Sequence, residues 1–262
     1  MKYYVVSDIH GFYSILKQTL EENGFFTETS PHKLIVCGDL FDRGKEALAL
    51  QDFLLSLLEK DELILIRGNH EDLLLQMLSD MASGIPVLYS HHRDNGTVAT
   101  VKQMLKKGSH WFDSEPDVIL SQMYRTPLLR TIIPAMKDYF ETKHYVFVHG
   151  WIPCQTEKTQ NLTYTYRPIE NWRAASESQW RASRWINGME AAHSGILETG
   201  KTVVCGHWHT SFGHANYEAK GSETGADADF SPYIANGIIA LDACTAYSKK
   251  INCIILEDDE IS

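Results

Sequence analysis

Positive charge is what this chain has least of for its size: 24 Lys and Arg stand against 34 Asp and Glu, a formal net charge of −10. That balance argues against a surface built for a nucleic-acid polymer or an anionic membrane. Long apolar segments are missing as well. No window approaches a membrane span, and Met1-Lys2 runs straight into a strand without the charged and apolar regions of a leader, so cytoplasmic residence is expected. Cysteine is sparse: Cys37, Cys154, Cys205, Cys244 and Cys253 form no Cys-x-x-Cys pair. A disulfide scaffold and the usual thiolate zinc spacings are thereby set aside, and the thiols read as free and mostly buried in a reducing compartment. No internal repeat or low-complexity tract stands out.

What is present is a run of apolar strands that each end in chemistry. Tyr3 to Val6 runs into Ser7-Asp8-Ile9-His10-Gly11, Lys33 to Gly38 into Asp39-Leu40-Phe41-Asp42-Arg43-Gly44, and Leu63 to Ile66 into Arg67-Gly68-Asn69-His70-Glu71. Helical patterns follow each of them at Phe12 to Asn23, Lys45 to Glu59 and Glu71 to Met81. The regular alternation implies an α/β class with parallel strands, in which ligands gather at the strands' C-terminal ends. Two further strands, Tyr145 to Val148 and Thr202 to Cys205, end in His149-Gly150 and Gly206-His207-Trp208-His209.

Between residues 82 and 143 the alternation gives way to helical patterns at Thr97 to Lys106, Pro116 to Tyr124 and Pro127 to Phe140. This stretch reads as a helical cap inserted in a single domain of residues 1–262. Trp151 to Gly200 is polar, with one helix expected from about Gln179 to His193. His214 to Asn236 reads as a loop. Ile238 to Leu241 and Ile251 to Leu256 are β-rich and could form a second sheet.

The strand ends offer Asp8, His10, Asp39, Asn69, His149, His207 and His209 as ligands. Carboxylate, amide and imidazole without thiolate suit manganese, iron, cobalt or zinc and do not suit an all-oxygen calcium cage. The set is too large for one ion and fits two that share a carboxylate, the arrangement used in phosphoester displacement. Taken singly, Asp8, Asp39 and Asn69 could each be an ordinary helix cap. His91, His92, His110, His144, His193 and His214 lack such company and read as packed or solvated. Trp172, Trp180 and Trp185 read as packing residues, and Trp208 as packing or a pocket wall.

Asp8-x-His10-Gly11, Gly38-Asp39-x-x-Asp42-Arg43-Gly44, Gly68-Asn69-His70-Glu71, His149-Gly150 and Gly206-His207 together resemble the ordered signatures of the calcineurin-like metallophosphoesterases. The Asp-Arg-Gly and Asn-His-Glu spellings most resemble the bacterial and phage phosphoprotein phosphatase branch. The resemblance implies a two-layer β-sandwich of mixed sheets flanked by helices, and a dinuclear metal centre. One ion would take Asp8, His10 and Asp39, and the other Asp39, Asn69, His149 and His207; the second histidine of Gly-His-Trp-His, His209, would complete the first shell. The family's general acid corresponds to His70, oriented by Asp42. Arg43 would hold phosphate oxygens, joined by a second arginine for which Arg184 is preferred to Arg181. Manganese is the expected metal, with iron, zinc, cobalt or nickel as alternatives.

The implied reaction is phosphoester hydrolysis by metal-bound hydroxide, as in a serine/threonine protein phosphatase. A dinucleoside polyphosphate hydrolase is the alternative, followed by a non-catalytic interaction subunit on the same fold. The partner would be a phosphorylated protein or a small phosphoester or nucleotide. The sequence sets no oligomeric state.

Overall fold

The structure is a computed structural model, and it describes residues 1–87, 91–108, 115–158 and 164–260. His110 and parts of the expected cap lie outside the described residues. In chain order the strands are β1 (Lys2–Val6), β2 (His32–Cys37), β3 (Leu63–Ile66), β4 (Phe140–Glu141), β5 (Tyr145–Phe147), β6 (Cys154–Lys158), β7 (Tyr164–Pro168), β8 (Thr202–Cys205), β9 (Tyr233–Ala235), β10 (Ile238–Ala240) and β11 (Ile254–Glu257). One sheet has the order β11-β1-β2-β3 and another β4-β5-β8-β10-β9, while β6 and β7 pair as a separate hairpin. Interior pairings are parallel, as between β1, β2 and β3 and between β5, β8 and β10. The edge strands β11, β4 and β9 are antiparallel to their neighbours.

The inner strands β1, β2, β3, β5, β8 and β10 are largely apolar because both of their faces are buried. Tyr3, Val5, Ile35, Cys37, Ile64 and Ile66 of the first sheet pack with Phe147, Val204 and Ile239 of the second. Their sequence neighbours Tyr4, Val6, Leu34, Val36, Leu63 and Leu65 point the other way, onto Leu16, Leu20, Leu50, Leu54, Met77 and Leu78 of the covering helices. Val146, Val148, Val203, Cys205, Ile238 and Ala240 similarly meet Trp151, Trp180, Ile186 and Met189. A period of two along each strand thus sorts one sequence into an inter-sheet layer and two outer layers.

Helices Tyr13–Glu22, Ala47–Glu59 and Asn69–Ala82 follow the first three strands. The third begins two residues earlier than its apolar pattern suggests, so Asn69 and His70 stand in its first turn. In the segment expected to form a cap, a short helix at His91–Asp94 is followed by helices Thr97–Met104 and Pro116–Met123, which contribute Val98, Val101, Met104, Ile119, Leu120 and Met123 to the same apolar cluster as the first sheet's helices.

Four expectations differ, the first being the loop read over His214 to Asn236, which holds the end of helix Ser211–Tyr217 and the whole of β9. The helix expected over Pro127 to Phe140 is a wide turn at Leu128–Ile132 and a short helix, Ile133–Ala135, that contains Pro134. Beyond it the chain runs alongside β3, with Lys137 bridged to Ile66. The helix expected near residues 179–193 is two, Glu177–Ser183 and Gly188–His193, because the Asn187 side chain accepts from the N–H groups of Met189 and Glu190 and starts a new one. Finally, only β10 joins the second sheet; β11 crosses back to pair with β1. No helix among the described residues is long and apolar enough to cross a membrane, and all five cysteines are free.

Candidate active site

The strand ends of both sheets converge where the sandwich opens. Past β1 and β2 the two loops stay side by side: Asp8 N–H donates to Gly38 O (3.2 Å), His10 N–H to Asp39 O (2.9 Å) and Gly11 N–H to Leu40 O (2.7 Å). The second sheet is tied in by Thr245 Oγ1 donating to Asp8 O (2.8 Å) and by His207 N–H donating to Asp8 Oδ2 (3.0 Å). Asp8, His10, Asp39, Asp42, Arg43 and His207 all have positive φ, between 50° and 73°. Each such non-glycine residue costs on the order of 1–3 kcal/mol, and surrounding structure must hold it. At Gly206 the reason for glycine is steric: a Cβ there would overlap Ser7 Oγ and Asp8 Oδ2.

Two groups of donor atoms result. His10, Asp39 and His70 present atoms that lie within 4.8 Å of one another, as do Asp39, His149 and His207, and Asp39 belongs to both. Asp8 joins the first group, with Oδ1 4.0 Å from His10 Nε2, and Asn69 the second, with Oδ1 2.8 Å from His149 Nε2. The other ring nitrogens are already spoken for: His10 Nδ1 bonds Phe41 O (3.0 Å) and His149 Nδ1 bonds Cys37 O (2.8 Å). Those carbonyls call for N–H at Nδ1, so the lone pair of His10 Nε2 is left for a cation, and that of His149 Nε2 is turned toward Asn69 Oδ1, the other donor of its group.

A pair of divalent ions fits this donor set on two counts. Asp8 Oδ1 is buried with no hydrogen-bond partner, although its twin Oδ2 is bonded by Ser7 and His207. An orphaned carboxylate oxygen is costly unless something positive meets it. Burial also pushes the His10 and His207 imidazoles down to about 3, which keeps them neutral, as a ligand must be. Burial opposes charge on Asp39, but His149, His70, His10 and His207 together hold it below the usual carboxylate range. Asp8 is driven the opposite way by burial, with the negative charges of Asp242 and Asp39 adding to it.

Beside the donors lies a proton-handling pair. His70 Nδ1 is 2.8 Å from Asp42 Oδ2, and His70 Nε2 faces the centre, 3.9 Å from Asp39 Oδ2. Burial lowers the His70 pKa, but Asp39 and Asp42 outweigh it and raise the value overall. Arg43 is exposed, and its Nη2 reaches to 3.2 Å from His70 Nε2.

Two expected residues stand elsewhere. Arg184 is buried, with Nη1 2.7 Å from Asp72 Oδ2 and Nη2 bonded to Asp138, so its fork is committed to carboxylates. Arg67 Nη2 holds the other oxygen of Asp72 at 2.6 Å. Arg181 is exposed at the end of helix Glu177–Ser183. His209 Nε2 lies 3.0 Å from Glu223 Oε1 and is absent from both donor groups.

Sequence reasoning passed over other members. Glu71, buried, accepts from the N–H groups of Leu40 (2.9 Å), Gly68 (2.8 Å) and Asp39 (3.2 Å), tying two of the loops together. Its burial, with Asp39 nearby, raises it to about 7. The signal was its place three residues past Gly68, where a capping glutamate reaches back. Asp242 ends β10 by the same strand-end pattern as Asp8 and Asp39, and Asp242 is buried near them. Thr97 and Thr100 bond Asp42 and carried no motif.

A family model for calcineurin-like phosphoesterases matches residues 1–223. Serine/threonine-protein phosphatase 1 of Salmonella typhimurium is 39% identical over 72 residues, a stretch covering 28% of this chain and 31% of that protein. Among solved structures, the cold-active protein-tyrosine phosphatase of a psychrophilic Shewanella sp. superposes with a TM-score of 0.52 at 16% identity, covering 98% of this chain and 75% of that one. A second structure of a cold-active protein tyrosine phosphatase gives 0.54 at 15% identity, covering 98% and 73%. At such identities the superpositions speak for the fold.

Proposed function

The chain belongs to the calcineurin-like phosphoesterase family, and we propose that it is a metal-dependent phosphoesterase that hydrolyses phosphomonoesters, with phosphorylated serine or threonine side chains of proteins as its substrates. The observation that carries the reading is Asp39, shared by two buried donor groups beside a histidine whose far nitrogen is fixed by a carboxylate. Asp8, His10 and Asp39 would hold one divalent ion, and Asp39, Asn69, His149 and His207 the other. Such a pair, when bound, polarises phosphoryl oxygens and makes a water molecule acidic enough to attack near neutral pH.

The chain's own side chains supply the rest. Asp42 accepts from His70 Nδ1–H, which leaves His70 Nε2 to give a proton to the departing alkoxide. Arg43 offers a planar fork on the exposed side of that ring for the phosphate's oxygens. Arg184 serves order: buried against Asp72, it braces the helix that begins with Asn69 and His70.

A pocket of about 600 Å³ adjoins His207 and is walled by Tyr164, Tyr166, Trp185, Trp208 and Phe212, with Glu190 among its lining residues. Among the described residues its lining holds no Lys or Arg and one carboxylate, so it suits the uncharged flank of a peptide and disfavours a further phosphate. That composition, with the match to a serine/threonine-protein phosphatase, favours a phosphoprotein over a dinucleoside polyphosphate.

The test pairs purified protein in manganese with a phosphoserine, phosphothreonine and phosphotyrosine peptide panel and with diadenosine tetraphosphate. Turnover of the serine and threonine peptides is expected, and its loss in Asp39→Asn and His149→Ala. Hydrolysis of the nucleotide alone would overturn the substrate assignment.

A further inference from the structure

Asp42 is held from a direction no strand-end motif covers. Thr100 Oγ1 donates to Asp42 Oδ1 at 2.6 Å and accepts from Asp42 N–H at 3.0 Å, while Thr97 Oγ1 donates to Asp42 Oδ2 at 2.9 Å. That Oδ2 is the same atom that receives His70 Nδ1–H. Both threonines are fully buried, at 0% and 1% exposure, so neither hydroxyl has solvent as an alternative.

They belong to helix Thr97–Met104, in the segment between the two sheets' strands rather than in either sheet. Gln103, three residues beyond Thr100 on the same face, donates to Gly44 O and accepts from Ala47 N–H, each at 3.0 Å. One face of one helix therefore grips the chain from Asp42 to Ala47, where Asp42 and Arg43 have φ of 73° and 57°. Gly96, which precedes the helix with φ of +91°, permits the approach: a Cβ there would overlap Arg43 N.

We propose that Thr97 and Thr100 are positioning residues for the Asp42–His70 pair, so that the helix carrying them is part of the proton-delivery apparatus. The proposal rests on the reading of His70 as the acid that protonates the leaving oxygen. Three donors converge on the Asp42 carboxylate and fix its plane. The plane fixes the imidazole's tautomer and aim, with Nε2 toward the leaving group. Removing one hydroxyl leaves the carboxylate free to rotate and the imidazole with it. The proton is then delivered from a poorer position, while the water attack on phosphorus is untouched.

The test is leaving-group dependence in the manganese-loaded protein. With p-nitrophenyl phosphate the leaving oxygen needs little protonation; with a simple alkyl phosphate it needs a proton. Thr100→Val and Thr97→Val are expected to lower kcat on the alkyl ester about 10-fold, to lower it on the nitrophenyl ester far less, and to leave KM and bound metal unchanged. Thr100→Ser, which restores the hydroxyl, returns the alkyl rate toward normal. Equal losses on both esters, or no loss in the double Thr97→Val/Thr100→Val variant, overturn the proposal. Should Thr100→Val not fold, Thr97→Val carries the same comparison, since Thr100 keeps both of its bonds there. His70→Asn is the control. If it too hits both esters equally, the acid assignment itself has failed; if it is selective and the threonine variants are not, only the positioning role has.

Discussion

Nη2 of Arg43 lies 3.2 Å from Nε2 of His70, across the ring from the nitrogen that meets Asp42. A guanidinium carries only donors, so His70 Nε2 accepts in this arrangement and the ring's proton is on Nδ1. The arginine and the histidine thus share one edge of the centre. A phosphate taken up by the fork would draw Arg43 off the ring and free Nε2 to take up a proton from solvent, favoured by Asp39 and Asp42, which it then gives to the leaving oxygen.

Arg43→Ala is accordingly expected to lower kcat/KM on a phosphopeptide on the order of 100-fold and to weaken competitive inhibition by inorganic phosphate by a similar factor. Unchanged phosphate inhibition would show that the fork does not touch the anion. Arg43→Lys restores the charge without the fork and is expected to recover only part of the loss.

Asp8 sets a second expectation, about stability without metal. Its buried carboxylate has one unpaired oxygen and stands near Asp39 and Asp242, which raises its pKa. A raised folded value means that the stabilising contribution is complete below the ordinary carboxylate range and is lost as pH rises through the folded value. In chelator-treated protein Asp8→Asn should therefore raise the melting temperature at neutral pH, for a gain of about 2 kcal/mol. Manganese should then reverse the order. Saturating metal adds about 2.7 kcal/mol at a hundred times its Kd, and the variant should gain much less. A chelated variant that melts below wild type would contradict this.

Far from the centre, Glu141 gives a cleaner pH signature. Arg173 grips both its oxygens, with Nε 3.0 Å from Oε1 and Nη2 2.7 Å from Oε2, and Lys201 Nζ adds a contact of 2.8 Å. The Arg173 bond leads in holding the carboxyl down to about 2 from its ordinary 4.5. Because the folded value is depressed, its contribution is present above 4.5 and fades as pH falls towards 2. Glu141→Gln should cost about 1 kcal/mol at neutral pH, a value kept small because such pairs are partly solvated. Urea unfolding should show the difference between the two proteins shrinking as the medium is acidified below about pH 4.5.

Where the chain's chemistry and its burial coincide, the sequence is readable. Tyr3 to Val6 and Leu63 to Ile66 are unbroken apolar runs because both sheet faces are covered, and the ligands sit where those runs stop. Reading fails where one of the two is absent. The β6–β7 hairpin is largely exposed and polar, so it shows no alternation to detect. Thr97 and Thr100 are buried by a loop distant in the chain, and two threonines in a helix look like surface. Arg184 follows a tryptophan-rich stretch, and nothing local announces that Asp72 and Asp138 will close on it. His209 beside His207 looks like a ligand by spacing, yet its ring turns to Glu223.

The positive φ angles at Asp8, Asp39 and Asp42 narrow the alphabet open to these positions beyond what coordination or proton handling demands. Among side chains, aspartate and asparagine tolerate left-handed torsions best. Glutamate would bring the same charge on a backbone it resists. A mutational library scored by charge alone would rank aspartate-to-glutamate exchanges as mild here, whereas selection for folded protein would discard them alongside exchanges that remove the carboxylate.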